Sequence, residues 1–205
     1  MRVLPSGTTA VLVELESLEQ VLGTYAALSE EPPRGVVDIV PAAATILVVI
    51  DPAVTTLRAV EETVRRTTPR PGPAASGDVV EIPVTYDGED IGAAAGMIGC
   101  EPADLVRRHT AAEWTVAFTG FAPGFGYLVS PDWHEELPRR SSPRTSVPPG
   151  SVGLAGPFSG VYPRESPGGW QLIGRTDVAL FDAVREPAAL LRPGVRVRFA
   201  VRDAE

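Results

Sequence analysis

Apolar and β-branched side chains fill residues 9–15 (TAVLVEL), a strand pattern that follows a turn signal at Pro5, Ser6 and Gly7. After Ser17, a side chain suited to capping a helix, Leu18, Val21, Leu22, Tyr25 and Leu28 recur at spacings of three and four. That rhythm predicts an amphipathic helix, ended by Pro32 and Pro33. Residues 36–40 and 45–50 read as two more strands around a short turn at Pro41. A second helix is predicted from Asp51 as N-cap with Pro52 at its first position, carrying Val54, Leu57, Val60 and Val64 on one side. Strand, helix, two strands and helix make a small two-layer α+β domain over residues 1–76.

Residues 67–78 (TTPRPGPAASGD) combine three prolines, two glycines and no apolar period, and read as a linker. Beyond it, residues 81–86 are predicted as a strand turning at Asp87 and Gly88, and residues 91–98 as a glycine-diluted helix. Another helix is expected from Pro102 to His109, with acids in its first turn and Arg107, Arg108 and His109 in its last, as the helix dipole favours. Residues 115–119 and 195–201 read as strands. Between Thr119 and Arg175, nineteen of 57 residues are Gly or Pro, which excludes helix. Seven of the chain's 13 aromatics also fall there, and disordered segments lack that apolar content. Short strands joined by tight turns satisfy both facts, so residues 77–205 are predicted to be a mainly-β barrel domain.

Composition narrows the chemistry. The chain has 205 residues and a net charge of −8, which disfavours non-specific contact with nucleic acid or an anionic membrane surface. All 18 basic residues are arginine, so a Walker-type phosphate loop and a Schiff-base lysine are excluded. One cysteine rules out an internal disulfide and a cysteine-built zinc site, and with two histidines no metal centre is expected. The longest apolar stretch, residues 42–50, is too short to span a bilayer, and the N-terminus has no signal-peptide pattern. A cytoplasmic location is the expectation.

Residues 137–175 hold Arg139, Arg140, Arg144, Arg164 and Arg175 against a single acid, Glu165. A basic, glycine-rich, aromatic segment in an acidic chain suits a small anion gripped by guanidinium forks and backbone N–H groups. The alternative is that these arginines pair acids of the N-terminal domain or of a partner subunit. His109, between a helix end and a strand, is placed either to carry protons or to complement the helix dipole. His134 reads as a surface residue and Cys100 as a buried structural thiol. Asp87, Glu89 and Asp90 read as a solvated turn.

The run 118–128 (FTGFAPGFGYL) resembles the GFxPGFxYL signature of the family of 5-oxoprolinase B-type subunits, also called KipI or allophanate hydrolase subunit 1, among the carboxyltransferase-domain proteins. Two further blocks agree: PRRSSPR at 138–144 with VPPGSV at 147–152, and YPRESPGGWQLIGRT at 162–176. His109 also falls where members have a histidine before this strand. The resemblance implies a cyclophilin-like barrel preceded by a small α+β domain. It implies a homologous barrel subunit as partner, of the 5-oxoprolinase C-type or allophanate hydrolase subunit 2 kind, and a third protein, which together hydrolyse 5-oxo-L-proline to L-glutamate with ATP. On that reading His109 and Arg144 are catalytic candidates, and Arg140, Arg175, Ser151, Tyr162, Gly168, Gly169, Trp170 and Gln171 are substrate or anion contacts. The chain departs from the pattern at Gly7-Thr8, where members have Gly-Asp, and at 158–161 (FSGV), where many have Gln-Thr-Gly-Ile. Two other functions remain open: half of a biotin-dependent urea or amide carboxyltransferase, its biotin on another chain, or of an allophanate-hydrolase-like amidase, and a binding inhibitor of a sensor histidine kinase.

Overall fold

The computed structural model describes residues 1–71 and 79–202. The chain divides into two compact units, one ending and the other beginning within residues 72–78. The domain boundary expected at 76/77, and the linker from residue 72 onward, lie outside the described residues.

The first unit is an antiparallel sheet of β1 (Arg2–Ser6), β2 (Ala10–Glu14), β3 (Val36–Pro41) and β4 (Thr45–Ile50), in the order β1-β2-β4-β3. Helices α1 (Leu18–Glu30) and α2 (Leu57–Arg66) supply the second layer, and Val13, Val21, Leu28, Ile46, Val48 and Val64 are among its buried core. Two expectations need correction. Pro5 and Ser6 belong to a strand, and the turn comes later, at Gly7 with φ +64. Proline is tolerated there because β1 is an edge strand, paired on one side only. The second helix starts at Leu57 with Thr56 as its cap, Oγ1 accepting from the Ala59 amide at 3.2 Å. Asp51 instead accepts from the Ala53 amide at 2.9 Å and closes a separate turn, leaving Val54 exposed. Ser17 caps α1 as its sequence implies, accepting from the Gln20 amide.

The second unit is mainly β. Seven strands, β5 (Val79–Val84), β6 (Trp114–Thr119), β7 (Gly126–Val129), β9 (Ser151–Ala155), β10 (Phe158–Val161), β12 (Gln171–Arg175) and β13 (Arg196–Val201), form one sheet in the order β12-β9-β10-β7-β6-β13-β5. The two ends of this order meet: the Thr85 amide donates to the Arg175 carbonyl and the Arg175 amide to the Thr85 carbonyl, each at 2.9 Å. The sheet is thereby nearly closed into a barrel, which protects the edges that an open sheet would expose. The seam is tight, because a Cβ at Gly174 would stand 2.6 Å from the Thr85 carbonyl oxygen. Helices α3 (Ile91–Met97) and α4 (Pro102–Ala111) pack against β12 and β13 respectively. A short pair, β8 (Arg144–Val147) with β11 (Ser166–Gly168), lies apart from the main sheet.

Two apolar clusters divide the second unit. The larger includes Ile82, Leu105, Trp114, Leu128, Leu154, Ile173 and Phe199. The smaller gathers Phe125, Val147, Ala155, Tyr162, Trp170 and Leu172, with Tyr127 and Phe158 packed against it. This smaller cluster is the floor of the cavity described next.

Candidate functional site

Three stretches far apart in sequence wall a cavity of about 240 Å³: the loop and strand from Phe121 to Tyr127, the segment at Arg139 and Pro143, and the chain from Tyr162 to Trp170. Its rings meet edge to face, the arrangement their quadrupoles favour. Phe125 stands 5.0 Å from Tyr127, 5.5 Å from Tyr162 and 5.4 Å from Trp170, centre to centre. Glycine makes this assembly possible. A Cβ at Gly160 would sit 3.0 Å from both the Phe125 and Trp170 rings, and one at Gly168 would sit 2.3 Å from the Tyr162 hydroxyl oxygen.

At the cavity wall Phe121 has φ +68 while 54% exposed. A bulky residue in the left-handed region is a strained exception, and such strain persists where the surrounding structure holds it in place. Here the Phe121 ring meets Phe125 at 5.4 Å and Tyr162 at 6.0 Å. Burial raises the Tyr127 and Tyr162 hydroxyls above their ordinary values; the Arg139 charge opposes both shifts, and the Trp170 amide also opposes that of Tyr162. Both therefore keep their protons at neutral pH and present O–H donors. Among the described residues Arg139 makes no ion pair, so its guanidinium is uncommitted.

A carboxylate cluster lies beside these walls. Asp90 precedes α3 but does not cap it. Its Oδ1 instead accepts from Arg140 at 2.7 Å and Arg144 at 2.9 Å, and its Oδ2 accepts from the Leu172 amide at 2.8 Å. Burial pushes the Asp90 carboxyl upward, but the Arg144 hydrogen bond, the Leu172 amide and the charges of Arg144 and Arg140 hold it below its ordinary value. Glu89 accepts from Arg144 at 3.0 Å, and Asp87 from Arg175 at 2.9 Å.

His109 is fully buried in the larger cluster, stacked on Phe199 at 4.3 Å. Its Nδ1 shares a hydrogen bond with the Tyr86 hydroxyl at 2.7 Å and its Nε2 one with Ser159 Oγ at 2.9 Å. Burial lowers its pKa to about 3 and raises that of the Tyr86 hydroxyl. A neutral ring donates to one hydroxyl and accepts from the other, so both nitrogens are satisfied.

The sequence pattern of the carboxyltransferase domain, subdomain C and D, matches residues 1–191. The B-type subunit of 5-oxoprolinase from Escherichia coli O157:H7 is 39% identical over 203 residues, covering 94% of this chain and 92% of that protein. The chain belongs to the family of 5-oxoprolinase B-type subunits. A Bacillus subtilis (strain 168) protein of the same name is 48% identical over 130 residues, 62% of this chain and 54% of the relative's length. In fold, the urea amidolyase of K. lactis superposes with a TM-score of 0.75 at 18% identity, over 98% of this chain and 16% of that one.

Against the roles that this family resemblance implies, the structure sorts the residues into four groups. Tyr162, Gly168, Gly169 and Trp170 line the cavity. Arg140, Arg144 and Arg175 are engaged by Asp90, Glu89 and Asp87, so the pairing alternative describes them, but with acids of their own domain. One Arg144 nitrogen, Nη1, is buried without a partner among the described residues. Ser151 donates to the Pro148 carbonyl at 2.8 Å and Gln171 to the Pro138 carbonyl at 2.9 Å, both buried and shaping the chain rather than facing the cavity. His109 does not line the cavity. The solvated turn expected at Asp87 to Asp90 is corrected for Asp90, whose side chain is 6% exposed. Cys100 is half-buried against the larger cluster and His134 is exposed.

The sequence places Arg139 in the basic segment without singling it out, reads Asp90 as a turn residue, and gives no sign of Tyr86 or Ser159. Adjacent arginines carry no signal of their division of labour, yet Arg140 turns to Asp90 while Arg139 lines the cavity. Phe158, which stands where many members have glutamine, packs its ring 5.6 Å from Tyr127 and 5.7 Å from Phe118. Among the described residues no group of three or more His, Cys, Asp or Glu is arranged to hold a metal ion, and no helix is long and apolar enough to cross a membrane.

Proposed function

We propose that this chain is the non-autonomous B-type subunit of an ATP-dependent amide hydrolase that opens 5-oxo-L-proline to L-glutamate, and that its aromatic cavity forms part of the substrate site. The observation that carries the reading is the cavity itself. It is concave, ring-lined and smaller than the roughly 300–1,000 Å³ that hold drug-sized ligands, so it suits one small ring. The Tyr127 and Tyr162 hydroxyls and the Arg139 guanidinium line it, and opening a lactam builds negative charge on the amide oxygen, which such donors stabilise. The names of the relatives, each one component of a larger enzyme, support an assembly, here read as a homologous barrel subunit and a third protein. The barrel is read as cyclophilin-like and the location as cytoplasmic.

ATP does not fit this cavity. A triphosphate calls for several cations, whereas Arg139 is the one guanidinium that lines the cavity among the described residues and the chain has no lysine. Nucleotide contact is therefore assigned to another subunit or to an interface.

The test is the formation of glutamate, ADP and phosphate from 5-oxoproline, ATP and water by the reconstituted subunits, with and without this chain. Turnover only in its presence supports the reading. Equal turnover without it, or incorporation of labelled bicarbonate in place of hydrolysis, overturns it and favours carboxyl transfer to a urea-type amide.

A further inference from the structure

The cavity contains a mismatch between its rings and its charge. Phe121, Phe125 and Trp170 give it flat apolar walls, yet Arg139 lines it with a full positive charge. Of the other arginines in residues 137–175, Arg140 and Arg144 face Asp90 and Glu89, Arg175 faces Asp87, and Arg164, also without an ion pair among the described residues, lies outside the cavity. No carboxylate lines the cavity among the described residues. An uncompensated guanidinium beside apolar surface favours an anion, and a planar fork matches a carboxylate through two parallel N–H···O bonds. With one available cation, charge balance selects a monoanion over a phosphate dianion. The cavity volume limits the apolar body to a single small ring.

We infer that Arg139 is a specificity-determining residue that grips the carboxylate of a small cyclic monocarboxylate whose ring lies against Phe125 and Trp170. This rests on the reading of the cavity as a substrate site and adds what that site selects: a ring bearing a carboxylate, and not an uncharged amide. The hydroxyls of Tyr127 and Tyr162 remain for the ring's own polar edge. Arg139 is exposed and carries no ion pair among the described residues, so removing its charge leaves the fold intact.

The experiment titrates the full chain, by calorimetry and by amide chemical shifts, with 5-oxoproline, cyclopentanecarboxylate and the neutral lactam 2-pyrrolidinone. The two carboxylates are expected to saturate the chain, shifting residues of the cavity, with the neutral lactam at least tenfold weaker. Arg139→Gln is expected to weaken carboxylate binding about 10- to 100-fold, the scale of a lost charge-assisted hydrogen bond, while leaving 2-pyrrolidinone and the thermal midpoint unchanged. Arg164→Gln, an exposed arginine outside the cavity, is expected to change nothing. In the reconstituted assembly the same Arg139 change is expected to raise KM far more than it lowers kcat.

Absence of saturable carboxylate binding, equal binding of the neutral lactam, or unchanged binding in Arg139→Gln overturns the inference. Cyclopentanecarboxylate has no lactam to open, so its binding is independent of turnover. Arg139-dependent binding with no hydrolysis of 5-oxoproline by the assembly leaves this site standing and refutes the reaction reading. Hydrolysis with an unaltered KM in Arg139→Gln does the opposite.

Discussion

Buried among Trp114, Trp133 and Phe199, His109 shares hydrogen bonds with two hydroxyls, and burial keeps its ring neutral. Its folded pKa of about 3 lies below the ordinary 6.5. The stability it contributes is therefore complete above pH 6.5 and is lost progressively as pH falls toward 3, because only the unfolded chain binds the extra proton readily. Its ring resonances are expected to stay unchanged from pH 7.5 to about 4, and titration near 6.5 would contradict the assigned environment. Asp90 makes a comparable case with charges. Asp90→Asn leaves Arg140 and Arg144 without their shared carboxylate, at an expected cost of about 2–4 kcal/mol in denaturant unfolding, part of the usual penalty being relieved by solvent at Arg140. The chain order shows both residues, but neither partnership: Asp90 reaches partners 50 to 82 positions away, and no local pattern encodes that.

At the scale of elements, pattern and structure agree where periodicity is strong. Helix α1 and strands β3 and β4 follow their apolar spacing closely. They diverge where two capping residues compete. Asp51-Pro52 and Thr56-Leu57 both read as helix starts, and the turn closed by Asp51 leaves the helix to Thr56. In the barrel the density of Gly and Pro announces tight turns and close approach without saying which strand meets which. Gly174 is one such point. Its missing side chain lets β12 reach Thr85 and complete the sheet, so Gly174→Ala forces a Cβ against the Thr85 carbonyl and Val84. A loss of about 1–3 kcal/mol is expected in denaturant unfolding, the range for overpacking a tight interior. An unaltered midpoint would show that the seam gives way without strain.

For the whole molecule, the two-layer first unit and the barrel class follow from pattern, whereas the cavity follows only from which strands pair. Its walls come from sequence blocks that stand far apart along the chain, from Phe121 to Trp170, and the pairing of β7 with β10 and of β8 with β11 is what brings them together. The family signature at 118–128 supplies Phe121, Phe125 and Tyr127 of the cavity wall, and its strained residue offers a direct probe of the cavity. Phe121→Gly removes the ring from the cavity wall while giving φ +68 to the residue that adopts it freely, so folding is expected to be unharmed or slightly improved. The decisive measurement is kcat/KM for 5-oxoproline in the assembly rebuilt with this variant, beside its thermal midpoint. At least a tenfold fall in kcat/KM is expected, with the midpoint preserved. Wild-type kinetics in a folded, assembled Phe121→Gly protein would contradict the assignment of the aromatic cavity to the reaction.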